Sequence, residues 1–127
     1  MFLTLKNWFA PKPNLVRPTI PHGQRGYAVG EGHGQIDLFN TLIDTIEADD
    51  AARGAVDTTI ILLGDLVDRG PDSASVLDAA IALGDRRRVR TLCGNHEEMF
   101  QKSFESEGVL REFLRRGGGA RQSCPTR

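Results

Sequence analysis

Apolar residues along this chain alternate between two spacings, and the alternation predicts the fold. Gly26-Tyr27-Ala28-Val29-Gly30 is a short apolar stretch bounded by glycine, which reads as a strand. Behind it Phe39, Leu42, Ile43 and Ile46 sit at helical spacing, so residues 35–49 are expected to form an amphipathic helix. Asp57 to Leu63 then carries Thr58-Thr59-Ile60-Ile61-Leu62-Leu63, a nearly unbroken β-branched and apolar run that suits a strand buried on both faces. Helical spacing returns with Val76, Leu77, Ala80 and Ile81, after Asp72 or Ser73 as cap and before Gly84 as stop. Val89-Arg90-Thr91-Leu92-Cys93 reads as a third strand, and helical segments are expected over 96–104 and 107–116.

Strand alternating with helix implies right-handed crossovers and a parallel sheet, hence an α/β fold built as βαβαβ. The loops that follow the strands then gather at their carboxyl ends, where open α/β sheets bind ligands. Three spans are expected. Residues 1–25 hold Pro11, Pro13, Pro18 and Pro21 with four basic residues and no acid, an extended leader. Residues 26–116 form the patterned domain, and residues 117–127 a flexible basic tail. From Arg115 onward the chain has four arginines, three consecutive glycines and no acid.

Composition narrows the class. Hydrophobic residues at 39% and charged residues at 26% fit a soluble globular protein. Sixteen basic against seventeen acidic side chains, a formal charge of -1, argue against a general polyanion binder. Arg86-Arg87-Arg88 with Arg90 reads as a solvated loop before a strand, with contact to nucleic acid or a phosphorylated partner as the other reading. The apolar segment Met1 to Ala10 is interrupted by Lys6 and closed by Pro11 and Pro13, too short for a membrane span. Trp8 and Phe9 leave two readings open there, a tail against the domain or contact with a membrane surface. Cys93 and Cys124 are too few for a disulfide framework, Cys93 is expected as a buried reduced thiol, and the cytoplasm is the default compartment.

The chemistry lies in the loops. Gly30-Glu31-Gly32-His33-Gly34 places a carboxylate and an imidazole two residues apart, able to share one cation, or else to face water on a glycine-rich turn. Its Gly-x-Gly-x-Gly spacing differs from the dinucleotide-binding Gly-x-Gly-x-x-Gly, so that reading is weak. Gly64-Asp65-Leu66-Val67-Asp68-Arg69-Gly70 offers a carboxylate directly after a strand, a second acid and an always-charged guanidinium suited to phosphate oxygens. Gly94-Asn95-His96-Glu97 adds a neutral oxygen ligand, a titratable imidazole suited to proton transfer and another acid; a helix start capped by Asn95 is its other reading. The three loops follow one another at about one βαβ unit each.

These motifs resemble those of the calcineurin-like metallophosphoesterases, in the phosphoprotein-phosphatase-like branch that includes bacterial serine/threonine protein phosphatases and symmetrical diadenosine tetraphosphate hydrolases. The family pattern Gly-Asp-x-His-Gly, Gly-Asp-x-Val-Asp-Arg-Gly and Gly-Asn-His-Glu is met in full by the second and third motifs, and the similarity spans residues 26–116. The resemblance implies half of an αββα sandwich, with the second sheet absent. It implies that Glu31, His33 and Asp65 hold a first metal, and that Asp65 bridges to a second held also by Asn95. His96 would be the general acid oriented by Asp68, with Arg69 and Asn95 on the substrate phosphate. Two ions of the Mn²⁺ or Fe–Zn type would activate a water that attacks phosphorus in line. The implied substrates are a phosphorylated protein or a dinucleoside polyphosphate.

Two departures qualify the resemblance. Glu31 stands where the family has aspartate, adding about 1.5 Å of reach, while Gly32 replaces a branched apolar residue and loosens the loop. Restoring the shorter carboxylate, Glu31→Asp, is therefore expected to tighten the first metal. The family completes its second metal with later histidines, and this chain has none after His96. The second site is expected to be incomplete, the chain truncated with weak or no turnover, and the uncovered sheet face prone to self-association. The alternative is a non-catalytic domain that keeps the scaffold for binding a phosphorylated or protein partner.

Overall fold

A computed structural model describes residues 18–115. The expected basic tail, Cys124 and the leader up to residue 17 lie outside the described residues. The elements run β1 (Gln24–Val29), α1 (Ile36–Ala52), β2 (Asp57–Leu62), α2 (Ser73–Arg86), β3 (Val89–Thr91), α3 (Asn95–Ser103) and α4 (Glu107–Arg115). The strands form one parallel sheet in the order β1-β2-β3, with Tyr27 beside Ile60 and Ile60 beside Val89. The alternation read from the sequence is the architecture found, a three-stranded parallel α/β sheet with helices in its crossovers.

The core lies on one face of the sheet. Val29, Ile60 and Leu62 point into it and meet Phe39, Ile43 and Ile46 of α1 and Val76 and Leu83 of α2. Both crossovers have the same hand, so both helices fall on the same side. Among the described residues the opposite face is largely open, with Ile61 of β2 only half-buried, which corrects the expectation of a β2 buried on both sides. Ile60 and Leu62 are fully buried, whereas Leu63 and Leu92 are about half exposed. Cys93 is likewise exposed, not buried, because β3 ends at Thr91 and Cys93 sits in the loop beyond it.

Helix boundaries are set by local chemistry. Asp72 caps α2, its carboxylate accepting from the Ser75 N–H at 2.9 Å and the Ser75 hydroxyl at 2.6 Å, which holds the Asp72 pKa below the usual range. Gly84 does not stop α2; the helix runs on to Arg86 with Gly84 inside it. Leu42 and Ile81, at helical spacing with the core residues, are exposed because only a narrow stripe of each helix meets a three-stranded sheet. The arginine run is paired within the chain. Arg86 meets Glu47, Arg87 meets Asp50, and Arg88 meets Asp57 at 2.7 Å. Among the described residues no helix is long and apolar enough to cross a membrane.

Candidate metal centre

The three motif loops meet beyond the carboxyl ends of the strands and are stitched by backbone bonds. The N–H groups of Gly32 and His33 donate to the Asp65 carbonyl at 3.0 and 2.8 Å, and Gly34 N–H donates to the Leu66 carbonyl at 2.7 Å. The first loop is therefore pinned despite Gly32, where a Cβ would come up against Leu66 and Val76. The chain takes the left-handed conformation at His33, Asp65, Asp68 and Arg69, with φ of 40°, 53°, 67° and 63°. Non-glycine residues reach that region only when surrounding contacts hold them there, and such positions cluster at sites of function. Close approach explains two of the glycines. A Cβ on Gly94 would overlap the Asp65 carboxylate, and one on Gly70 would overlap the His33 carbonyl.

Glu31, His33 and Asp65 each offer one ligand atom, and these atoms lie within 4.8 Å of one another. The His33 ring shows what belongs between them. Nδ1 lies 3.1 Å from the Val67 carbonyl, which accepts but cannot donate, so Nδ1 carries the proton. Nε2 then presents a lone pair toward Glu31 Oε2, 3.0 Å away. Two acceptors at that distance need a cation between them, a proton or a metal ion. An Nδ1–H held by a backbone carbonyl is the usual partner of an imidazole that ligates metal through Nε2. Donors bound at right angles to one ion at ~2.1 Å stand about 3 Å apart. One imidazole and two carboxylates suit divalent ions such as Mn²⁺, Fe²⁺ and Zn²⁺. The donor set fits a divalent ion.

The second and third loops add the remaining side chains. His96 and His33 pack edge to face, their ring centroids 4.9 Å apart. His96 Nδ1 lies 3.0 Å from Asp68 Oδ2, and the Asp68 side chain is only 2% exposed. The other oxygen, Oδ1, is buried and has no hydrogen-bond partner among the described residues. Asp65 Oδ1 accepts from the His96 N–H at 3.0 Å, so the motif carboxylate also orients the start of α3. Arg69 and Asn95 are exposed on the rim of this cluster. Five of the seven side chains singled out in the sequence are thus joined by short contacts, with these two beside them.

One residue at the site carried no role in the sequence reading. Glu97 accepts hydrogen bonds from the N–H groups of Asp65, Leu66 and Gly94 at 2.7, 2.7 and 2.9 Å, and from that of Val67 at 3.1 Å. Its position as the last residue of the third motif marks it, but a carboxylate in a helix's first turn ordinarily reads as a cap or a solvated acid.

A cleft lined by Gly30, Glu31, His33, Leu38, Phe39 and Leu42 adjoins the centre. Comparison with known proteins agrees with the motif chemistry. The calcineurin-like phosphoesterase profile matches residues 22–120. A symmetrical bis(5'-nucleosyl)-tetraphosphatase of Acidovorax sp. (strain JS42) is 48% identical over 71 residues, 56% of this chain and 23% of that protein. The same enzyme of Klebsiella pneumoniae (strain 342) is 39% identical over 71 residues, again 56% and 23%. A zinc-dependent endopolyphosphatase of Saccharomyces cerevisiae is 36% identical over 76 residues, 60% of this chain and 22% of that protein. The chain thus spans less than a quarter of the length of these relatives. No solved structure gives a significant match. A profile match over most of the chain, on a parallel sheet that brings the motif side chains to one end, makes the chain a member of the calcineurin-like phosphoesterase family.

Proposed function

We propose that this chain carries a metal-dependent phosphoester hydrolase site whose substrate is a dinucleoside polyphosphate or a similar polyphosphate chain. The His33 ring carries the proposal: its Nδ1 is committed to the Val67 carbonyl and its Nε2 faces Glu31 beside Asp65. Glu31, His33 and Asp65 hold the first divalent ion, and Asp65 with Asn95 contributes to the second. When bound, the ions neutralise phosphate charge and supply an activated water.

Side chains do the rest. Asp68 takes the His96 Nδ1–H and stabilises the imidazolium, which leaves Nε2 to deliver a proton to the leaving oxygen. Arg69, exposed on the rim, offers a planar fork to the phosphate oxygens. A polyphosphate is favoured over a phosphoprotein by the relatives, two tetraphosphatases and an endopolyphosphatase. Half-exposed Leu63 and Leu92 on the open face support self-association. A pair of cysteines in 127 residues suits the reducing cytoplasm.

Mn²⁺ titration with parallel assays on an aryl phosphate and on diadenosine tetraphosphate tests this. Mn²⁺ binding and Mn²⁺-dependent cleavage of the tetraphosphate, the cleavage lost in His96→Asn, is the expected result. Neither ion binding nor turnover would leave a scaffold without the activity.

A further inference from the structure

We infer that Glu97 is a positioning residue for the metal centre, holding the Asp65 loop in its left-handed course through four backbone hydrogen bonds. This rests on the metal-site reading above and assigns a task to a side chain that touches neither ion nor substrate.

One Glu97 oxygen accepts from the N–H groups of Asp65 and Gly94, and the other from those of Leu66 and Val67. A helix cap accounts for the Gly94 bond alone. The other three cross to a loop 30 to 32 residues earlier in the chain. They converge on a stretch that no regular element supports, where Gly64 and Asp65 have φ of 93° and 53°. Successive amides pointing inward at one carboxylate form an anion nest, here filled by the protein's own side chain.

The loop so held contributes to the ligand set twice. Asp65 is itself a ligand, and the Val67 carbonyl fixes the His33 ring with Nε2 toward Glu31. Releasing the nest would free Asp65 to leave the left-handed region and would let His33 turn, although neither ligand had been altered. Glutamine at 97 cannot substitute, because its NH₂ group would face two of the four N–H donors. The neighbouring Glu98 provides the control, since it pairs with Lys102 on the exposed side of α3 and carries the same charge.

Glu97→Gln and Glu98→Gln should be compared with the parent by Mn²⁺ titration and by amide hydrogen exchange read by NMR. Glu97→Gln is expected to weaken Mn²⁺ binding by about tenfold or more, and Glu98→Gln by less than about twofold, the size of loss seen when groups behind a ligand are removed. Without metal, the Asp65, Leu66 and Val67 amides are expected to exchange faster in Glu97→Gln while those of α1 and α2 keep their protection. Unchanged affinity together with unchanged loop exchange would overturn the inference. Should the parent bind no Mn²⁺, the metal reading fails and the three amides decide the role of Glu97 on their own. If Glu97→Gln does not fold, Glu97→Asp, with the charge kept and the reach shortened, should show the same loss in smaller degree; parent-like affinity and exchange there would equally overturn it.

Discussion

Asp50 and Asp68 stand at opposite ends of the same parallel sheet and are treated in opposite ways. Asp50, near the amino ends of the strands, is surrounded by donors: the Thr58 hydroxyl at 2.7 Å and the guanidinium groups of Arg87 and Arg25. Thr58 first, then Arg87 and Arg25, hold its pKa down to about 2. Asp68, at the carboxyl ends, is more deeply buried, holds one partner in His96, and keeps one oxygen without any among the described residues. A cluster that closes on itself ties α1 to β1 and β2 and has nothing left to offer a ligand. A buried carboxylate left half-satisfied, on backbone in the left-handed region, costs stability, and such costs persist where a site uses them.

The comparison predicts that the two aspartates separate function from stability. The largest effect expected is Asp68→Asn. It should lower Mn²⁺-dependent hydrolysis by about 10²-fold or more, since general acid–base groups contribute on that scale, and leave the melting temperature near that of the parent. Equal turnover in that variant would remove Asp68 from the proposed machinery. Next comes Gly70→Ala, whose Cβ would press on the His33 carbonyl and on Gly34. A loss of about 2 kcal/mol or more is expected in urea unfolding, as for overpacked sites, and parent-like unfolding would show that the loops are not held this tightly.

Asp50→Asn should do the reverse of Asp68→Asn, lowering the melting temperature while sparing turnover. Its pH signature is specific. A carboxylate with a depressed folded pKa stabilises the fold above the unfolded value of ~3.9 and loses that contribution as pH falls. The parent should therefore lose stability between about 4 and about 2 with a slope that Asp50→Asn lacks. Identical acid unfolding curves would break the contrast between the two ends. The smallest effect is expected from Glu31→Asp. Glu31 Oε2 already lies 3.0 Å from His33 Nε2, so the shorter side chain should tighten Mn²⁺ binding by no more than about threefold, and a weaker ion in that variant would show that the added methylene is needed.

Much of the fold could be read from the chain because short-range patterns encode it. Ile60 and Leu62 in a β-branched run, Phe39, Ile43 and Ile46 at helical spacing, and Asp72 before α2 are local signals, and each stands where it was expected. The failures lie where burial is not a local property. Leu63 lies toward the sheet face that is largely open among the described residues, Cys93 falls in the loop beyond β3, and Ile81 lies off the narrow stripe of α2 that meets the sheet. Gly84 looks like a stop, yet α2 continues to Arg86, which meets Glu47 at the end of its last turn.

The site divides in the same way. Residue types and their order settled which donors collect at the carboxyl ends of three strands, since a parallel sheet brings those loops together whatever their side chains do next. Tertiary contacts settled the rest: which His33 nitrogen faces Glu31, which Asp68 oxygen lacks a partner among the described residues, and which N–H groups Glu97 collects. Each depends on groups about 30 residues apart, such as Val67 with His33 and Glu97 with Asp65, that only the folded sheet brings within hydrogen-bond distance. A motif names the atoms of a centre, and the packing of its loops decides where their lone pairs point.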